Sequence, residues 1–410
     1  MIGEILQPPD LRFNYASTYA RDKSPKRGLR RFGPYDLEHL QKDVIKCIVF
    51  YPSGKENVKE ILIKGLISGE GYFNGFESLF RIPIKFIDEF SYSENDFEIL
   101  IKNVIAEYHD IDLVYFLLEK RKPEIYRKSK FLFISSGIPS QMICIDTLLN
   151  IQGLQFILEN IALASYAKIG GIPWTISTKK DENILLMGVS RTKDEKGFLV
   201  GFVTIFTYNG DFLLLNSAAP VIEWEEYLEN LSELLISSIK EFKMKVGDPS
   251  KIILHLSKKP GKKEIDAIKS ALDEDVPYAL VHINDFSNFR VFDSTHPTYV
   301  PPKGLMVRLS SHEALLVNRG RMNGWTKIGV PRVLNVRMDK RSNINSAEFL
   351  DLVRHVYDLS HVNWRGFNAE SIPITLNYSR LIARVIRDIG AEKWNDIIAR
   401  TRLRDKSWYL

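Results

Sequence analysis

The sequence is poor in cysteine. Its two, Cys47 and Cys144, both lie inside apolar, strand-like runs. They offer neither a disulfide framework nor a metal-ligand spacing, and read as small core residues in a reducing compartment. No apolar run approaches the ~20 residues that span a bilayer, and the opening MIGEILQPPDLRFNY is too broken by polar residues and prolines for a signal peptide. The expectation is a cytoplasmic protein with no membrane insertion. Charge of one sign is also scarce: 56 Lys and Arg stand against 51 Asp and Glu, a net +5, too mild an excess to mark a nucleic-acid binder by itself. There is no internal repeat and no low-complexity tract. No G-x-G-x-x-G turn follows the first strand-like run, where the chain reads FYPSGKEN, so a nucleotide cofactor is not signalled.

What is present is an ordinary globular composition, 45% hydrophobic and 26% charged, over 410 residues, enough for two or three domains with proper cores. The basic charge is local. Arg21–Arg31 (RDKSPKRGLRR) holds six basic residues against one acid, and Arg121–Lys130 holds five against one; such patches can track a phosphate backbone on a nearly neutral protein. Residues 1–37, with Pro8, Pro9, Pro25 and Pro34, read as an irregular arm packed on the rest. From about residue 42 short β-branched and aromatic runs alternate with helical spacing: KCIVFYP, RIPIKFIDEF, IDLVYFLLE and SQMICID are each followed by an amphipathic stretch. Four strand-then-helix units predict an α/β domain with a parallel sheet covered on both faces, Rossmann-like, over 38–170. After GGIPW the style changes. ENILLMGVSR, FLVGFVTIFT and DFLLLNSAAPV predict an antiparallel meander. A long helix from about Glu223 to Lys245, the unit KIILHLS–KKEIDAIKSALDE–YALVHIND, short strands around FRVFDS, GLMVRLSS, EALLVN and RVLNVRM, and closing helices follow. Three antiparallel strands, a helix, then strand–helix–strand is the layout of an RNase H-like fold over 171–410.

The stretch Tyr126–Trp174 sets five polar or anion-seeking groups in a pattern: Tyr126, Lys130, Gln141, Asn160 and Lys168. Tyr126 and Lys130 are four apart and share a helix face. Asn160 and Lys168 are eight apart, roughly one face two turns on. Pro123 suits the first turn of the helix carrying Tyr126, whose positive end favours an anion. Two such faces with Gln141 beside them can close on one phosphate.

With KIGGIPW, HVNWRGF (361–367), SIPITLNYSRLIA (371–383) and the terminal SWYL, the chain resembles the Argonaute family. It is most similar to short prokaryotic Argonautes of the catalytically inactive type, which keep the MID and PIWI domains alone. The resemblance covers nearly the whole chain from RRFGPYD onward. It implies a guide-binding MID domain followed by an inactive PIWI domain, with Tyr126 stacking on the first guide base and touching its phosphate. It implies that Lys130 and Lys168 neutralise that 5′-phosphate and that Gln141 binds phosphate or a divalent ion. Asn160 would support the pocket, and the terminal carboxylate of Leu410 would help hold magnesium. The partners it implies are a guide strand (RNA or DNA), a complementary target, and a separately encoded effector or APAZ-like protein acting against plasmids or viruses. The 410 residues show no fused effector domain.

An RNase H-like nuclease needs clustered carboxylates to hold two metal ions. The resemblance places Ser190 and Ser257 where slicing relatives carry their two strand aspartates, and Arg380 where they carry a final Asp or His; the remaining Glu has no evident equivalent. A hydroxyl is a poor ligand for a hard ion, and an arginine repels it. Capture without cutting is therefore expected. The alternative is a guided endonuclease with a relocated metal site, for which Asp181, Asp285 and Asp293 are the candidates, each in or beside a turn. His255 reads as a core or groove-facing residue. Lys258, Lys259, Lys262 and Lys263 form a dense basic loop after Ser257 that can contact a guide or target backbone; Arg191 and Arg365 are further candidates for such contacts.

Overall fold

The computed structural model describes residues 2–119, 122–178, 183–322, 329–400 and 403–410. They form two compact units. One comprises Met1–Asp10, Ile176–Asn363 and Asn368–Arg384; the other comprises Leu11–Thr175, Trp364–Phe367 and Val385–Leu410. These limits differ from the segments 1–37, 38–170 and 171–410.

In the second unit a four-stranded sheet runs in the order Ile84–Tyr92, Ile45–Pro52, Leu113–Leu118, Ser140–Cys144. Every neighbouring pair is parallel. Helices Glu56–Ser68, Phe97–Glu107, Pro123–Ser135 and Leu154–Lys168 lie between or after these strands, the four units the periodicity predicts. Leu113–Leu118 (LVYFLL) is buried at every position, as a strand covered on both faces must be. Val114, Phe116 and Leu118 pack with Phe97, Ile101, Ile125 and Phe133 of two helices. On alternate positions Tyr115 reaches the Leu154–Lys168 helix, its hydroxyl 2.9 Å from Ser165 Oγ. Taken in chain order the strands stand 2-1-3-4, the flavodoxin-like arrangement.

The arm expected to be irregular carries regular structure. Ser24, Pro25 and the basic run build a helix, Pro25–Phe32, with Ser24 as N-cap and Pro at its start; a capping residue followed by proline is a helix-start signal. Ile2–Ile5 is a strand, paired antiparallel with Leu305–Arg308 in the other unit's sheet, the unit to which residues 1–10 belong.

That sheet has nine strands, ordered Ile2–Ile5, Leu305–Arg308, Glu313–Leu316, Leu334–Met338, Tyr278–Asn284, Lys251–Leu256, Ile184–Lys193, Leu199–Thr207, Phe212–Ser217. The last three form the antiparallel meander. Lys251–Leu256 runs parallel to Ile184–Lys193 and to Tyr278–Asn284. The Trp224–Lys245 helix packs Tyr227, Leu231, Leu235 and Phe242 onto Leu185, Met187, Leu254 and Leu280. FRVFDS makes no strand. Phe289 N donates to Ser287 Oγ at 3.1 Å and Thr295 N to Asp293 Oδ1 at 3.0 Å, so serine and aspartate turns take the backbone donors a ladder would need.

Candidate functional site

Lys130 lies on the Pro123–Ser135 helix and Lys168 is the last residue of Leu154–Lys168. Gly170, at φ +103°, takes the left-handed turn that ends the second helix just past Lys168. The two side chains converge. Lys130 Nζ donates to Ser140 O at 3.0 Å, Ser140 Oγ at 3.2 Å and Trp408 O at 3.4 Å. Lys168 Nζ donates to the same two carbonyls at 3.0 and 3.4 Å. Both residues are buried, at 4% and 2% exposure. They donate to uncharged oxygens of Ser140 and Trp408, and this shows in their acidity. Burial alone pulls Lys130 from an ordinary 10.5 down to about 7. Lys168 is pushed well below its ordinary value by burial, then by Lys130, then by Arg365. Desolvation penalises an ammonium and a second cation deepens the penalty. The charged forms of two such groups facing each other are disfavoured.

The other members of the predicted set divide. Tyr126, in the first turn of the same helix as Lys130, is half-buried and packs against the core of the parallel sheet. Gln141 follows Ser140 on the edge strand, and its Oε1 is buried with no hydrogen-bond partner. Such an orphaned acceptor costs stability unless something binds it. Leu410 closes the tail whose Trp408 carbonyl meets both lysines. Asn160 is exposed, whereas Lys168 is buried. Eight residues turn a helix by about 800°, which leaves the two positions about 80° apart rather than on one face. Arg365, predicted only as a backbone contact, is exposed and belongs to the same unit, close enough to act on Lys168. The Trp408 carbonyl was invisible to sequence reasoning because it is a backbone group.

In the other unit, Ser190 and Ser257 meet. Val189 and Leu256 are level on parallel strands, and the two hydroxyls hydrogen-bond to each other. The cleft there is about 20 Å³, room for about one water. Arg191 ion-pairs with Glu264, which also accepts from Tyr227 Oη at 2.9 Å, and its guanidinium lies 5.0 Å from the Trp224 ring centre. Arg380 ion-pairs with Asp285. Asp293 is held by Arg321 at 2.8 Å. Asp181 lies outside the described residues. Among the described residues no group of three or more His, Cys, Asp or Glu stands where it could hold a metal. His255 is a core residue, fully buried, its Nδ1 2.9 Å from Thr375 Oγ1, and burial beside His355 lowers its pKa to about 3. Lys258, Lys259, Lys262 and Lys263 are all exposed; Lys263 reaches Glu225 at 3.1 Å, and Lys262 and Lys263 open the Lys262–Ser270 helix rather than a loop.

The Piwi domain matches residues 113–389 of this chain. The chain belongs to the Piwi-domain family. It is 28% identical over 388 residues to a Piwi protein of Archaeoglobus fulgidus, covering 89% of this chain and 88% of that protein. It is 24% identical over 440 residues to the protein argonaute of Cereibacter sphaeroides, covering 94% of this chain but 56% of that protein. The fold is similar to that of Clostridium butyricum Argonaute, solved with a guide DNA and a 19-mer target DNA, at a TM-score of 0.77 and 19% identity over 95% of this chain and 53% of that one. This Piwi-domain chain thus spans most of one relative and about half the length of the two Argonautes. The parallel-sheet and RNase H-like expectations hold.

Proposed function

We propose that this chain anchors the 5′-phosphorylated end of a guide strand at Lys130 and Lys168, presents the guide's bases, and captures a complementary strand without cutting it. The observation that carries this reading is the pair of buried lysine amines that converge on the Ser140 and Trp408 carbonyls. A terminal phosphomonoester brings up to two negative charges and several acceptor oxygens; it restores both lysines to their charged form through charge-assisted hydrogen bonds. A mid-chain diester brings one charge, so the pocket prefers an end. Tyr126 offers a ring to an unstacked first base. The orphaned Gln141 Oε1 and the terminal carboxylate of Leu410 suit a hard divalent ion such as magnesium, which would supply further neutralisation of guide phosphates. That a related Argonaute was solved with guide and target DNA supports the same ligand class here.

The hydrogen-bonded serines and the Arg380–Asp285 and Arg321–Asp293 pairs support capture without hydrolysis. Recognition is then passed to a separately encoded effector, in a cytoplasmic defence against plasmids or viruses. The test loads the protein with 5′-phosphorylated or 5′-hydroxyl strands and adds labelled complementary target with magnesium or manganese. Tighter binding of the phosphorylated strand and intact target are expected. Cleavage opposite the guide centre, abolished by Asp285→Ala or Asp293→Ala, contradicts this reading and supports a relocated metal site.

A further inference from the structure

The strand Tyr278–Asn284 stands beside Lys251–Leu256 with His282 level with Leu256, and Leu256 is level with Val189. The loop that follows Asn284 therefore leaves the sheet just beyond the level of the Ser190–Ser257 pair. It carries four aromatic residues in solvent: Phe286, Phe289, Phe292 and Tyr299 are 68%, 47%, 61% and 58% exposed. One exposed ring needs no explanation, whereas four in a single loop do.

The loop is anchored. Ser287 is buried and its Oγ accepts from Phe289 N at 3.1 Å. Val291 packs on Leu315, Val317 and Val333, and Val300 is 2% exposed. Asp293 N donates to Tyr299 O at 3.0 Å while its carboxylate is held by Arg321. Tyr299 sits at φ +55°, a left-handed conformation that bulky residues rarely adopt. The aliphatic side chains thus turn inward and the rings stay out. Guanidinium groups lie beside them: those of Arg332 and Arg380 are 5.6 and 5.4 Å from the Phe286 ring centre, Arg380 pairing with Asp285 and Arg321 with Asp293.

Fixed aromatic faces interleaved with guanidinium groups match unpaired bases on a phosphate backbone. We propose that the Phe286–Tyr299 loop is a stacking platform for a few unpaired nucleotides of single-stranded nucleic acid, its rings taking bases and the exposed Arg332 taking a phosphate. This rests on the nucleic-acid reading above, though on a different set of residues from the 5′-phosphate pocket.

The test uses single strands containing 2-aminopurine, whose fluorescence is quenched by stacking. The wild-type protein should quench it. Phe289→Ala and Phe292→Ala should each restore fluorescence and weaken single-strand binding by about fivefold or more, the scale of one base–aromatic stack. Phe289→Leu, which keeps apolar bulk and removes the aromatic face, should behave like Phe289→Ala, and Phe289→Tyr like wild type. Unchanged quenching and affinity in the alanine variants, with preference for a 5′-phosphate intact, would overturn the platform and leave the guide reading standing. Wild-type protein that quenches without preferring a 5′-phosphate would sink the guide reading and support the platform. Should Phe289→Leu keep what Phe289→Ala loses, the loop is an apolar docking surface for protein and the proposal fails.

Discussion

The two centres of this chain treat charge in opposite ways. At Lys130 and Lys168, two ammonium groups are buried against carbonyl oxygens. In the other unit charges come in pairs: Arg191 with Glu264 beside Ser190 and Ser257, and elsewhere Arg380 with Asp285 and Asp293 with Arg321. A buried cation without a counter-charge costs the free protein stability, so its retention points to a ligand that brings the charge. A cancelled charge is already at rest and exerts little pull on an ion.

The comparison can be broken most forcefully at Glu264. It is buried, it holds Arg191, and Tyr227 donates to it. Glu264→Ala strands a partly buried guanidinium and should destabilise the protein by about 3–5 kcal/mol, read from the denaturant midpoint. A loss under about 1 kcal/mol would mean the pair is not structural. The lysines should answer in the other sense. Lys168→Met should weaken a 5′-phosphorylated strand by about 1–3 kcal/mol, while the free protein's melting temperature stays level or rises, because an amine that is costly to desolvate has gone.

The pH dependence sharpens the contrast. Lys130 in the free protein titrates near 7 against an ordinary 10.5. Phosphate favours its charged form, so above about pH 7 binding must take up a proton and affinity should fall by up to about tenfold per pH unit. Folding has the opposite sign. Between about 7 and 10.5 the unfolded chain holds a proton on Lys130 that the folded chain does not, so this group makes the free protein more stable as pH rises through that window. Binding isotherms and thermal melts between pH 7 and 9.5 measure both slopes; parallel slopes would contradict the assignment. The smallest effect belongs to Asn160. Exposed on its helix, it should change phosphate affinity by less than about 0.5 kcal/mol when replaced by Ala, as competition binding would show.

Both folds were legible in the sequence because burial imposes period. IDLVYFLLE and the helices around it have no other way to cover both faces of a parallel sheet. What escaped was set by groups that leave little pattern. Ser24–Pro25 marked a helix start, but the prolines around it suggested an arm. FRVFDS has strand composition, yet Ser287 captures the Phe289 backbone donor and Asp293 that of Thr295 just beyond it. Lys130 and Lys168 were singled out by residue type together with the family resemblance. Their meeting point could not be, because it consists of the Ser140 and Trp408 carbonyls. Asn160 was placed on the wrong face by an eight-residue repeat, which drifts from the helix period. Ser190 and Ser257 were singled out by resemblance alone, and their hydrogen bond, like the pairing of Arg191 with Glu264, needs a long-range fold that local spacing does not reveal.

The most direct measurement is a thermodynamic cycle: the affinity of 5′-phosphorylated and 5′-hydroxyl strands of one sequence for the wild-type protein and for Lys168→Ala. The phosphate should strengthen wild-type binding by about 1–3 kcal/mol more than it strengthens the variant's. Equal losses on both strands would show that Lys168 does not meet the phosphate.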